Sequence, residues 1–147
     1  SPRKLDVPGE EKEKVSYRLL EPELIHNQKV LVVGGGDSAI ESALLLADEN
    51  NFVSISYRGD SFARLKPKNL ERVTSYSKSG KVKVLLSSEV TEIFDNSVIL
   101  KVQDSPEPKV IENDLVYIFA GGILPTKFLE EIGIKITKKF GEAILKH

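Results

Sequence analysis

Gly34-Gly35-Gly36-Asp37-Ser38-Ala39 fits the pattern G-x-G-x-x-G/A, with Gly34 and Gly36 as its first two glycines and Ala39 in the third place. Gly34 permits a tight turn, Gly36 leaves room for a pyrophosphate, and the small Ala39 lets a helix pack closely on a strand. A helix opening there offers free amides and a partial positive charge to the phosphates. Tyr57 and Arg58 then close the strand that should follow this helix. Sites that prefer NAD place an acid at that end to accept from the adenosine ribose 2′-hydroxyl, whereas a 2′-phosphate needs a cation. Arg58 is therefore a candidate 2′-phosphate clamp, and Arg64, Lys66 and Lys68 in the next loop add charge or belong to a solvated surface. Asp60, two residues from Arg58, is the acid expected to offset it.

These residues need a scaffold to hold them. Lys29–Gly34 (KVLVVG) is a continuous β-branched and leucine run, the signature of a central strand buried on both faces of a parallel sheet. Ile40, Ala43, Leu44 and Ala47 recur at helical spacing, so a helix is expected to about Asn50, with Asp37 or Ser38 capping its first turn. Phe52–Tyr57 (FVSISY) reads as the next parallel strand. Pro67 suits a first helical position and Gly80 a helix terminator, with Leu70, Val73 and Tyr76 or Ser77 on the inner face. Val82–Leu86, Glu89–Phe94, Ser97–Gln103, Val110–Ile111 and Leu115–Ala120 follow as short strands; the middle three predict an antiparallel meander. A short helix over Thr126–Ile132 is expected after Pro125. The fold class is α/β: a Rossmann-like βαβ parallel sheet with an inserted antiparallel β-meander and helices on the sheet faces.

Composition narrows the chemistry. The 147 residues fit one domain, and a hydrophobic fraction of 40%, a charged fraction of 29% and a net charge of −1 predict no bulk attraction to nucleic acid or to a membrane surface. No apolar run approaches the ~20 residues that span a bilayer, which predicts a soluble, cytoplasmic protein. The chain has no cysteine and only His26 and His147 as histidines, which excludes a dithiol and a thiolate metal site and argues against a histidine metal cluster. Residues 1–23, rich in proline, glycine and charge, read as a linker, although Val15–Leu20 carries enough apolar side chains to pack.

The run GGGDSAIESALLLA, a strand ending YRGDSFAR and the later FAGGILPTKFL together resemble the NADPH-binding domain of the thioredoxin reductase-like flavoproteins, and PRKLDVPGEE resembles the hinge to their FAD domain. The resemblance implies that Gly35, Gly36, Asp37, Ser38 and Ala39 hold the pyrophosphate, that Arg58 binds the 2′-phosphate, that Glu41 lies near the cofactor, and that Gly121 and Gly122 lie near the nicotinamide. It implies NADPH as the cofactor of this domain and FAD as that of a parent protein, held elsewhere. On this reading residues 1–23 are the hinge, 24–124 the nucleotide-binding domain and 125–147 a return segment toward the FAD domain. The chain is then an excised or truncated module that binds nucleotide without turnover. The parent would pass electrons to an unidentified acceptor, with room for a homodimer.

Two departures shape this expectation. The Cys-x-x-Cys pair of thioredoxin reductases is replaced by SYRLLEPE, and their HRRxxxR signature by Tyr57-Arg58-Gly59-Asp60-Ser61-Phe62-Ala63-Arg64, in which Gly59 stands for the second arginine. The chain is most similar to cysteine-free members, the bacillithiol disulfide reductase-like proteins and the ferredoxin-NADP reductases of thioredoxin reductase type. Competing readings fare less well. A short-chain dehydrogenase needs Tyr-x-x-x-Lys, which none of the four tyrosines satisfies. An aminopropyltransferase or methyltransferase needs an acid where Tyr57-Arg58 stands. A nucleotide-sensing domain without catalysis would use the same half-site.

Overall fold

Alternation decides the strand at the centre. In β2, Lys29–Val33, Val30 and Val32 point to one face and Leu31 to the other, and all three are buried. The computed structural model describes residues 5–119 and shows why both faces must be apolar. β2 lies in the middle of a five-stranded sheet, flanked by β3 (Phe52–Ser56) and β8 (Leu115–Ile118), with β4 (Val82–Leu85) and β1 (Val15–Ser16) at the edges. All four pairings are parallel. β5 (Ser88–Ile93), β6 (Ser97–Val102) and β7 (Lys109–Glu112) form a separate antiparallel sheet, the expected meander.

Among the described residues two α-helices, α1 (Asp37–Asp48) and α2 (Pro67–Lys78), cover one face of the parallel sheet. Ile40, Ala43 and Leu44 of α1 and Val73 of α2 pack on Val30, Val32, Val53, Ile55 and Val82. The meander covers the other face, where Val90, Ile93, Val98 and Leu100 meet Leu31, Val116 and Ile118. Each fully buried aliphatic side chain contributes roughly 1.5–3 kcal/mol relative to exposure, so the two layers together fix the sheet. Pro67 occupies the first turn of α2, and Gly80, with φ +84°, follows its end as expected.

Three local expectations change. The N-cap of α1 is Gly36, with no side-chain capping bond from Asp37 or Ser38. Asp37 is already helical, and its carboxylate is used elsewhere. On α2 the inner face runs through Asn69 and Val73, while Leu70 is 42% exposed. The N-terminal segment is more ordered than its composition suggests. Val15 and Ser16 pair with Val116 and Tyr117, and Val15, Tyr17, Leu5 and Val7 pack on the meander-side core. Glu10, only 2% exposed, accepts hydrogen bonds from the backbone N–H groups of Leu5, Asp6 and Val7 and from the Tyr17 hydroxyl at 2.7 Å. Ile93 N–H in turn donates to the Pro8 carbonyl at 2.9 Å, tying this loop to β5. The last residue of the expected strand Leu115–Ala120, the helix Thr126–Ile132, the return segment 125–147 and the pair Gly121 and Gly122 lie outside the described residues.

Exchanging a buried carboxylate for an amide keeps one acceptor oxygen, weakens its bonds by removing the charge, and turns the other oxygen into a donor facing donors. Glu10→Gln is expected to lower the unfolding free energy by about 1.5–3 kcal/mol, the range for hydrogen bonds to charged groups; urea denaturation followed by circular dichroism measures it.

Candidate functional site

The carboxyl ends of β2 and β3 meet at one end of the sheet, where an open α/β fold binds its ligands. Beyond β2 the chain turns at Gly34 with φ +136°, donating its N–H to the Ser56 carbonyl at 2.9 Å. A Cβ on Gly34 would lie 2.3 Å from the Phe119 carbonyl oxygen and 3.2 Å from the Ala39 Cβ. Only glycine fits both the conformation and the space. Gly35 is confined differently: its Cβ would fall 2.4 Å from the Tyr57 ring. At Gly36 a Cβ would meet nothing within 4 Å. The chain is therefore packed tightly behind the turn and open in front of it, at the N-terminus of α1.

The first-turn amides of a helix lack intrahelical partners, and those of α1 receive no side-chain cap. Ser38 is exposed beside them, whereas Ala39 is buried. The Asp37 carboxylate is engaged by α2 and the loop before it. Its Oδ1 accepts from the Asn69 side-chain amide at 2.8 Å and from the Lys66 backbone N–H at 3.1 Å. These two donors hold its carboxyl below the usual range. The same Asn69 nitrogen donates to Glu41 Oε2 at 2.8 Å. Its two hydrogens thus serve two carboxylates one turn apart on α1. The donors keep Asp37 ionised and occupy Oδ1, so that its charge is engaged by α2 and the loop before it.

Between β3 and α2, residues 57–66 wrap back over the glycine turn. Tyr57 sits against Gly35 and Gly59 and stacks on Phe62 with centroids 5.6 Å apart and an interplanar angle of 19°. At the other end, Lys66 is fastened to Asp37. This loop carries the cations. The Arg58 side chain is 82% exposed and its Nε lies 3.6 Å from Glu89 Oε2. Arg64, Lys66 and Lys68 are exposed. Asp60, the acid expected to offset Arg58, is exposed as well, and Glu89 on β5 takes that place instead.

The structure brings Gly34, Gly35, Gly36, Asp37, Ser38, Ala39 and Glu41 to one helix end and folds the Tyr57–Lys66 loop against it. Asn69, Phe62 and Glu89 join the site without having been singled out from the sequence. Asn69 carried a usable signal, since an amide at the inner-face spacing of α2 needs a polar partner. The arrangement suits a pyrophosphate in front of Gly36 and a cation-seeking group beside Arg58. Among the described residues no cluster suited to a metal ion is present, and no helix is long and apolar enough to cross a membrane.

Comparison with known proteins agrees with this architecture. The sequence profile described as pyridine nucleotide-disulphide oxidoreductase matches residues 1–146, and the chain belongs to that family. Within it, the chain is 30% identical over 141 residues to the bacilliredoxin reductase Bdr of Bacillus subtilis, covering 95% of this chain and 43% of that protein. It is also 30% identical over 131 residues to ferredoxin–NADP reductase 1 of Christiangramia forsetii, covering 84% and 37%. Among solved structures, the bacillithiol disulfide reductase Bdr of Bacillus cereus superposes with a TM-score of 0.77 at 29% identity, covering 82% of this chain and 37% of that one. A thioredoxin reductase of Lactococcus lactis gives 0.69 at 31%, covering 82% and 42%. The resemblance read from the motifs is borne out, and the chain spans about two fifths of the length of these relatives.

Two outcomes test the loop anchorage. Asn69→Ala removes both donors and leaves Asp37 and Glu41 facing each other; a loss of about 1–3 kcal/mol in unfolding free energy is expected by chemical denaturation. Because the Asp37 carboxyl is depressed in the folded state, its contribution is complete at neutral pH and is lost as pH falls through the folded value. The destabilisation caused by Asp37→Ala should therefore shrink once pH drops below about 4, as measured by urea midpoints at a series of pH values.

Proposed function

We propose that this chain is the NADPH-binding module of a flavin-dependent oxidoreductase, with the FAD held by a part of the parent protein outside these residues. The observation that carries the reading is the pairing of an open, uncapped helix N-terminus behind Gly36 with an arginine, in place of an acid, after the second strand. Gly34, Gly35 and Gly36 shape the turn, and the amides at Asp37, Ser38 and Ala39 take the pyrophosphate. Arg58, with Arg64 and Lys66 nearby in sequence, takes the 2′-phosphate. Tyr57 fills the space behind the turn and fixes the backbone that carries Arg58. Glu41 acts on the site through Asn69. Gly121 and Gly122 are proposed for the nicotinamide end.

The nucleotide supplies a hydride to the flavin when both are bound. The protein residues here bind and orient it. Coverage of about two fifths of the relatives' length supports a partner domain in the same parent, with residues 1–23 as the hinge, 24–124 as the nucleotide domain and 125–147 as the return segment. The reductases among the relatives support electron transfer to a further acceptor.

Titration calorimetry of the full chain with NADPH and NADH tests the assignment. NADPH is expected to bind more tightly, with Arg58→Ala reducing NADPH affinity about ten-fold, the scale of one charge-assisted hydrogen bond, while leaving NADH unchanged. Equal affinities, or no loss on Arg58→Ala, would overturn it.

A further inference from the structure

The meander is joined to the cation loop by more than side-chain packing. Just past β3, the Tyr57 carbonyl accepts from the Ser88 N–H at 3.0 Å and the Gly59 carbonyl from the Ser87 N–H at 2.9 Å. Beneath them the hydroxyls of Ser56 and Ser88, both buried, lie 2.7 Å apart, and Ser88 Oγ donates to the Leu85 carbonyl at 2.7 Å. Arg58 lies between the two residues of the loop that are pinned, and Glu89 is the next residue after Ser88. Their proximity is therefore a product of the backbone. Glu89 Oε2 stands 3.6 Å from Arg58 Nε, with the two side chains 50% and 82% exposed.

We propose that Glu89 is a specificity-determining residue, which competes with the 2′-phosphate for Arg58 and narrows the preference for NADPH over NADH. The inference rests on the assignment of Arg58 to the 2′-phosphate. A phosphate bound at that guanidinium comes within range of the Glu89 carboxylate, a like-charge contact. NADH brings no such charge: its 2′-hydroxyl is a donor, and a carboxylate near it does from β5 what an acid at the end of the second strand does in NAD-preferring sites. The site thus presents a cation for one nucleotide and an acceptor for the other. Because the ion pair is exposed, its effect is modest and sensitive to salt.

The test compares NADPH and NADH affinities by titration calorimetry of the full chain at low salt for wild type, Glu89→Gln, Arg58→Ala and Glu107→Gln. Both glutamates are exposed, so neither substitution threatens the core, and Glu107→Gln, on the β6–β7 loop, makes the same change in net charge. Glu89→Gln is expected to raise the NADPH-to-NADH affinity ratio about two- to five-fold, the range of an exposed ion pair, and Glu107→Gln to leave it unchanged. An unchanged or lower ratio in Glu89→Gln, or an equal rise in Glu107→Gln, overturns the role of Glu89. Failure of the underlying assignment reads separately, as an Arg58→Ala ratio equal to that of wild type.

Discussion

At Gly34 three stretches of backbone approach as closely as atoms permit. The Phe119 carbonyl occupies the space where a side chain would begin, Ala39 closes the helix side, and the Gly34 N–H is bonded to the end of β3. This contact aligns the exits of β2, β3 and β8 and fixes the start of α1 beside them. Any side chain at position 34 would push apart the elements whose convergence makes the site. The remaining features, the aromatic pair behind Gly35 and the open space before Gly36, follow from that placement.

Negative charge at the helix end is handled by partnership. Asp37 stands where an anion would be expected to bind, an awkward position for a carboxylate. Asn69 and the Lys66 N–H draw it aside and keep it ionised. A side chain with the wrong charge for the ligand thereby becomes the latch that holds the cation-bearing loop. The helix macrodipole favours an acid in the first turn in any case, so the latch also stabilises α1 while leaving the amides uncovered.

Much of this was readable from residue order. The apolar runs of β2, β3 and β8, the helical spacing of Ile40, Ala43 and Leu44, and the glycine pattern between them all agree with the structure because each is set by local periodicity. What escaped notice depends on distance along the chain. Arg58 and Glu89 are brought together by the register of an inserted sheet, whereas the sequence offered the nearer Asp60. Glu10 looked like one charge among many in a linker, yet it is buried by the fold of its own neighbours. β1 is two residues long, too short for any alternation, and owes its strand character to β8.

The order of the parallel sheet bears on how the molecule keeps to itself in a crowded solution. A sheet this rich in valine, leucine and isoleucine invites strands from other chains to add at its margins. Here one margin is β1, whose two paired residues offer a stranger little ladder to extend. The other is the four-residue β4, which has an exposed lysine, Lys83, in its middle and another, Lys81, immediately before it. The five-residue strands β2 and β3, and β8 beside them, are enclosed on both sides. The arrangement that assembles a binding edge at one end of the sheet thus also shields its most aggregation-prone segments from edge-to-edge growth.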